Sequence, residues 1–275
     1  MRNISILFTC LILLCSFSSC RKNNAYDLKS NVNVSNDVIL SVSSFTTIFN
    51  LLIKARLDPS LALNGYTRID GANITYDSVK REYDFGFGIT LSPDSVQRTG
   101  KIKVVVTGDL LQKGSYAKVS FQNYYEDYGK VDGIDSLANE GVNAFSQMVF
   151  SLTGSQDTIN KVYGGGFIRY KMDCKYNAPA SSLVFGGDIL FLLRGSISGI
   201  SSKGYNFSAS IRDTLQDAFS CPWIKAGIID VHLPDAQVTD GYIDFVSTNV
   251  CSDMIWYYFE GCAFKVIKNK LFLKN

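Results

Sequence analysis

Residues 82–89 read Glu82-Tyr83-Asp84-Phe85-Gly86-Phe87-Gly88-Ile89, large apolar side chains alternating with acids and glycines. A period of two puts Tyr83, Phe85, Phe87 and Ile89 on one side of an extended chain and leaves the other side to water. The same alternation recurs downstream. Ile102, Val104 and Val106 alternate with Lys101, Lys103 and Val105, and Ile229, Val231 and Leu233 alternate with Asp230 and His232. Tyr205, Phe207, Ala209 and Ile211 likewise alternate with Asn206, Ser208, Ser210 and Arg212. One buried and one solvated face is the mark of antiparallel strands. Turn residues separate them at Pro93-Asp94, Gly108-Asp109, Lys113-Gly114, Gly164-Gly165-Gly166, Gly186-Gly187, Lys203-Gly204 and Asp240-Gly241. No β-α-β alternation interrupts the series. The sequence therefore predicts a mainly β protein of roughly a dozen antiparallel strands, a sandwich or an elongated meander.

Upstream the period changes. Val38, Val42, Phe45, Phe49 and Leu52 fall at spacings of four, three, four and three, one face of an α-helix over residues 36–57. Ser35 or Asn36 can cap its start, and Asp58-Pro59 ends it because the residue before proline is pushed out of the helical region. Such a stripe is expected to pack on the sheet. The strand Tyr83-Asp84-Phe85-Gly86-Phe87-Gly88 is echoed by Tyr242-Ile243-Asp244-Phe245, an acid among aromatics. The expected layout is a leader over 1–19, a polar tether over 20–34, the helix over 35–58 and a β domain over 59–275, with related halves at 59–139 and 140–275.

The leader places the rest. Residues 11–20 read LILLCSFSSC, the end of an apolar run that begins after Met1 and Arg2 and stops at a cysteine preceded by two serines. A membrane-spanning helix needs about 20 apolar residues, so this run reads as a cleaved signal. Cys20 stands where a lipid-transferring pathway needs it and is the expected anchor. The tether over 20–34, 15 residues from Cys20, reaches at most about 50 Å.

Composition excludes more than it selects. Without the leader, which carries only Arg2, the net charge is +1. That leaves no electrostatic footprint for nucleic acid. No Cys-x-x-Cys pair and no acidic calcium loop points to a metal, and no glycine-rich phosphate loop points to a cofactor. The single histidine, His232, shares the polar face of its strand with Asp230, and no Gly-x-Ser-x-Gly elbow accompanies it. An envelope hydrolase working through an acid pair is the alternative function. The leading expectation is a non-enzymatic envelope protein, binding a glycan or a protein partner or serving as a structural element. Aromatic clusters carry that reading: Tyr124 and Tyr125, then Trp256 and Tyr258, which alternation places on one side of a strand opposite Tyr257 and Phe259.

Cysteines in an oxidising envelope are expected to pair. Residues 226–233 and 241–246 read as a hairpin turning at Pro234-Asp235. Cys221 precedes it and Cys251 follows it, which brings them to disulfide distance. A tight turn at Glu260-Gly261 makes Cys251–Cys262 the rival pairing. With Cys221–Cys251 formed, Cys174 and Cys262 would be free or joined to each other.

Several short motifs also resemble a family of Bacteroidetes lipoproteins. They are Arg98-Thr99-Gly100-Lys101-Ile102, Phe121-Gln122-Asn123-Tyr124-Tyr125, Gly129-Lys130-Val131-Asp132-Gly133 and Cys221-Pro222-Trp223-Ile224, with Cys251-Ser252-Asp253 near the end. The family's Asp-Tyr-Gly-x-Gly strand is matched by Asp84-Phe85-Gly86-Phe87-Gly88, whereas the later copy, Asp244-Phe245-Val246-Ser247, lacks the glycines. The resemblance implies an exported, β-rich lipoprotein and lends no activity; the outer membrane is the expected location, its facing side open. Phe17 stands where leucine is commoner in such signals, and Arg21 and Lys22 stand where surface-displayed members carry acids.

Overall fold

The computed structural model describes residues 27–127, 129–161, 165–185, 187–245 and 251–267. The leader, Cys20 and the first residues of the expected tether lie outside that set. From α1 (Leu28–Leu57) the chain turns through α2 (Pro59–Asn64) into β1 (Tyr66–Ile69), β2 (Ala72–Asp77), β3 (Glu82–Leu91), β4 (Gln97–Val106) and β5 (Tyr116–Glu126). There follow β6 (Gly129–Asp132), β7 (Ile134–Val142), β8 (Gln147–Lys161), β9 (Phe167–Pro179), α3 (Ala180–Phe185), β10 (Leu190–Ile200) and β11 (Asn206–Ala218). The chain ends through β12 (Ala226–His232), β13 (Gly241–Asp244), β14 (Met254–Phe259) and β15 (Cys262–Ile267). Among the described residues, all fifteen strands join one antiparallel sheet in nearly sequential order, with β7 bridging β5 and β8. The arrangement is the meander. The sheet runs unbroken through the boundary between the two expected halves, which falls inside β7.

This sheet does not lie flat. Twist accumulates over many strands, and bulges such as those at Phe87/Thr90, Thr99/Lys101, Gly154/Asp157 and Ile211/Asp213 sharpen the bend. It rolls around α1. From one helix, Lys54 bonds Asp70 after β1, Arg98 of β4 reaches Thr47, Asn50 bonds Asp217 of β11, and Tyr257 of β14 donates to Asn36. Phe49 stacks on Tyr176 of β9 at 4.1 Å and meets Phe150 of β8 and Phe191 of β10 edge-on. The predicted stripe of Val38, Val42, Phe45, Phe49 and Leu52 is buried throughout. So is every residue from Asp37 to Val42, more than a full turn, which places the helix inside the roll.

The helix begins at Leu28, not at residue 35 or 36. Asp27 caps it by accepting from the Lys29 N–H at 3.1 Å. Polar residues that read as tether are helical because the sheet satisfies them. The Asn31 amide donates to the Thr239 carbonyl and its oxygen accepts from the Thr239 N–H. Within the helix already expected, Asp37 accepts from Lys161 and from the Ser202 N–H. The expected stop holds: Asp58 caps α2, whose first residue is Pro59.

Candidate functional site

Alternation builds the outer face of β10–β14 from small and polar residues, because the apolar partners Ile197, Phe207, Ala209, Val231, Ile243 and Tyr257 turn inward. Register then lines the outward residues into rows. Ser196 faces Ser210, Ser210 faces Asp230, Asp230 faces Tyr242 and Tyr242 faces Tyr258. In the next row Ser198 faces Ser208, which faces His232. The serines floor a trough of about 610 Å³ whose walls include Asp230, His232, Asp240 and Tyr242.

At Tyr242 the trough gives way to an aromatic stretch of the same face. The Tyr242 and Tyr258 rings stack with centroids 4.6 Å apart and 14° between planes, and Trp256 follows at 6.4 Å. All three are half-buried. Arg212 is the extra residue of the bulge between Ile211 and Asp213. Its guanidinium lies 5.1 Å from the Tyr242 ring centre and donates to Asp230 at 2.9 Å. Cross-strand stacking contributes about 0.2–1 kcal/mol per pair, so these rings stiffen one another while staying accessible.

His232 closes the other end. It is 63% exposed, and its Nδ1 lies 2.8 Å from Asp240 Oδ2, whose other oxygen accepts from the Leu233 N–H. The histidine is thus oriented by an acid, Asp240, that sequence reasoning did not pair with it. Ser208 faces it across the ladder, but among the described residues no hydrogen bond joins His232 to a serine. A nucleophile–base contact is the first requirement of a triad, and it is not formed here.

The other expected residues are placed apart. Tyr125 is half-buried on β5. Tyr124 is not a surface ring: it is fully buried, and its hydroxyl donates to Glu126 at 2.8 Å. The cause is the bulge opposite Gly100, where Lys101 pairs Gln122 and Thr99 pairs Tyr125. The slip of one residue swaps the faces, and Gly100 permits it: at φ 86, a Cβ there would meet the Asn123 carbonyl oxygen at 1.9 Å. Tyr124 joins an interior network in which Arg98 forks Asp94 at 2.8 and 2.5 Å and reaches Glu126 at 3.2 Å. Cys221 and Cys251 form a disulfide with Cα atoms 5.5 Å apart; Cys174 is free and buried, whereas Cys262, expected to be free or joined to Cys174, is itself disulfide-bonded.

Two acids come together between β7 and β8. Asp135 on β7 faces Gly154 on β8, and the bulge after Gly154 turns Asp157 inward beside it. A Cβ on Gly154 would meet Asp157 Oδ2 at 2.0 Å and Asp135 Oδ1 at 2.6 Å, so the two carboxyls fill the space that glycine leaves. Burial raises both acids, with Asp157 adding to the rise at Asp135; neither oxygen of Asp157 finds a donor among the described residues, so two buried carboxyls this close retain a proton between them. Glycosidase acids stand about 5–9.5 Å apart around a sugar. This pair is in contact and buried, a different arrangement. Among the described residues no three metal-ligating side chains converge.

No family model, no curated protein and no solved structure matches the chain.

Proposed function

We propose that this protein is a lipoprotein anchored in the outer membrane through Cys20, and that it binds a glycan chain along the serine-floored trough without transforming it. The row Arg212–Tyr242–Tyr258–Trp256 carries the reading. Half-exposed rings on a rigid sheet offer flat apolar area at little entropic cost, and sugar rings present a matching apolar face. Beside them the serines, the Asp230–Arg212 pair and the Asp240–His232 pair supply donors and acceptors held in place before any ligand arrives. The resemblance to Bacteroidetes envelope lipoproteins accords with the anchor.

The test is affinity electrophoresis of the full chain through gels cast with soluble polysaccharides, supported by tryptophan fluorescence. Only Trp223 and Trp256 emit, so a Trp223→Phe background isolates the platform. Retardation by at least one neutral or acidic polysaccharide is expected, with Trp256→Ala and Tyr258→Ala each weakening it about tenfold or more. Unretarded protein in every gel, or both variants binding like the parent, would overturn the reading.

A further inference from the structure

At the C-terminal end of α1 the rolled sheet leaves a cavity of about 650 Å³, within the roughly 300–1,000 Å³ range of small-molecule sites. Its wall is aromatic. Tyr76 and Tyr83 face each other across β2 and β3 with ring centroids 4.4 Å apart, and Leu61 of α2 lies buried beside them. Burial pushes the Tyr83 hydroxyl up to about 12, so it keeps its proton and its donor.

The polar side is preset. Arg56 forks Asp109 through bonds of 2.7 and 2.5 Å, and Asp109 also accepts from the Leu111 N–H at 3.0 Å. A bidentate pair of this kind offers fixed donors and acceptors in one plane. At the rim stands Arg81, left-handed at φ 53, a conformation that favours glycine or asparagine. Its guanidinium donates to the Thr107 carbonyl at 2.5 Å and so stays beside the opening. Local strain is therefore tolerated to keep an arginine where glycine would be easier. The charges around the cavity cancel, Arg56 and Arg81 against Asp58 and Asp109. Nothing here selects an ion.

We propose that this cavity is a second binding site and that it takes a neutral sugar ring, its apolar face on Tyr76 and its hydroxyls on the Arg56–Asp109 pair and Arg81. The site is independent of the trough and stands whether or not that surface binds a chain.

The experiment is ligand-observed NMR on the full chain in a non-glycosidic detergent. The probes are the methyl glycosides of glucose, galactose and mannose, N-acetylglucosamine, cellobiose and maltose. Binding of at least one probe is expected. Arg81→Gly should weaken it about tenfold or more without lowering the melting temperature, because the glycine relieves the backbone. Tyr76→Ala supplies a second reading should Arg81→Gly unfold, and both are compared on a Trp256→Ala, Tyr258→Ala background so that binding along the trough does not contribute. The proposal is overturned if no probe binds, or if a bound probe is indifferent to both Arg81→Gly and Tyr76→Ala.

Discussion

Replacing Asp135 by Asn should make the protein more stable above neutral pH and flatten its pH dependence. In the folded protein Asp135 and Asp157 share a proton, because burial and the neighbouring carboxylate hold Asp135 well above the ordinary carboxyl range and burial lifts Asp157 to about 6. The unfolded chain releases both protons near pH 3.9. The native state therefore binds more protons than the unfolded state above that pH, and stability falls as pH rises. For one retained proton the slope is about 1.4 kcal/mol per pH unit, or about 3 kcal/mol between pH 4 and pH 6. Asparagine is nearly isosteric, needs no proton, and its Nδ2–H can donate to Asp157 where the shared proton did. The variant should match the parent within about 1 kcal/mol at pH 4 and exceed it by about 1–3 kcal/mol at pH 8. Urea unfolding followed by circular dichroism at intervals from pH 4 to pH 8, with the m-value checked for constancy, measures this. An unchanged slope, or a variant less stable than the parent at pH 8, would refute the shared proton.

Phe49→Ala should destabilise by about 3–5 kcal/mol, since it deletes the ring at the centre of the Phe150–Tyr176–Phe191 cluster; a loss below about 0.5 kcal/mol by the same unfolding assay would place the helix outside the core. Metabolic labelling with a fatty-acid analogue should tag the parent and leave Cys20→Ala untagged, and labelling that survives the substitution removes the anchor.

The strands were legible because each carries its own period of two. The 82–89 alternation marks β3, and the downstream copies mark β4, β11 and β12. Local chemistry also set the turn at Glu260-Gly261 and the end of α1 at Asp58-Pro59. What stayed hidden depends on partners far away in the chain. Asn31 read as a tether residue because its hydrogen bonds run to Thr239, and the burial of Asp37 within the helix stayed hidden because its partners are Lys161 and Ser202. Tyr124 read as a surface ring because its direction is decided by a bulge whose other half is Gly100. The trough was half visible: Trp256 and Tyr258 follow from alternation, whereas Tyr242, Arg212 and Asp240 join them only once the ladder is in register. The acid pair carried no signal at all, since Gly154 and Asp157 look like ordinary strand residues until the bulge turns the latter inward.

The enclosed helix also dictates an order of assembly. Asn31 and Asn36 find their partners 208 and 221 residues later, so the first folded element waits for nearly the last strands. Contacts of such sequence separation make for slow folding, because loop closure precedes any reward. Meanwhile the exposed segment is long and apolar enough, by length and composition, to cross a membrane. An unfinished chain would carry this greasy, unsheathed rod until β11–β14 arrive to cover it. Holdase chaperones that mask apolar segments would act on that interval, and slowing the C-terminal strands would prolong it.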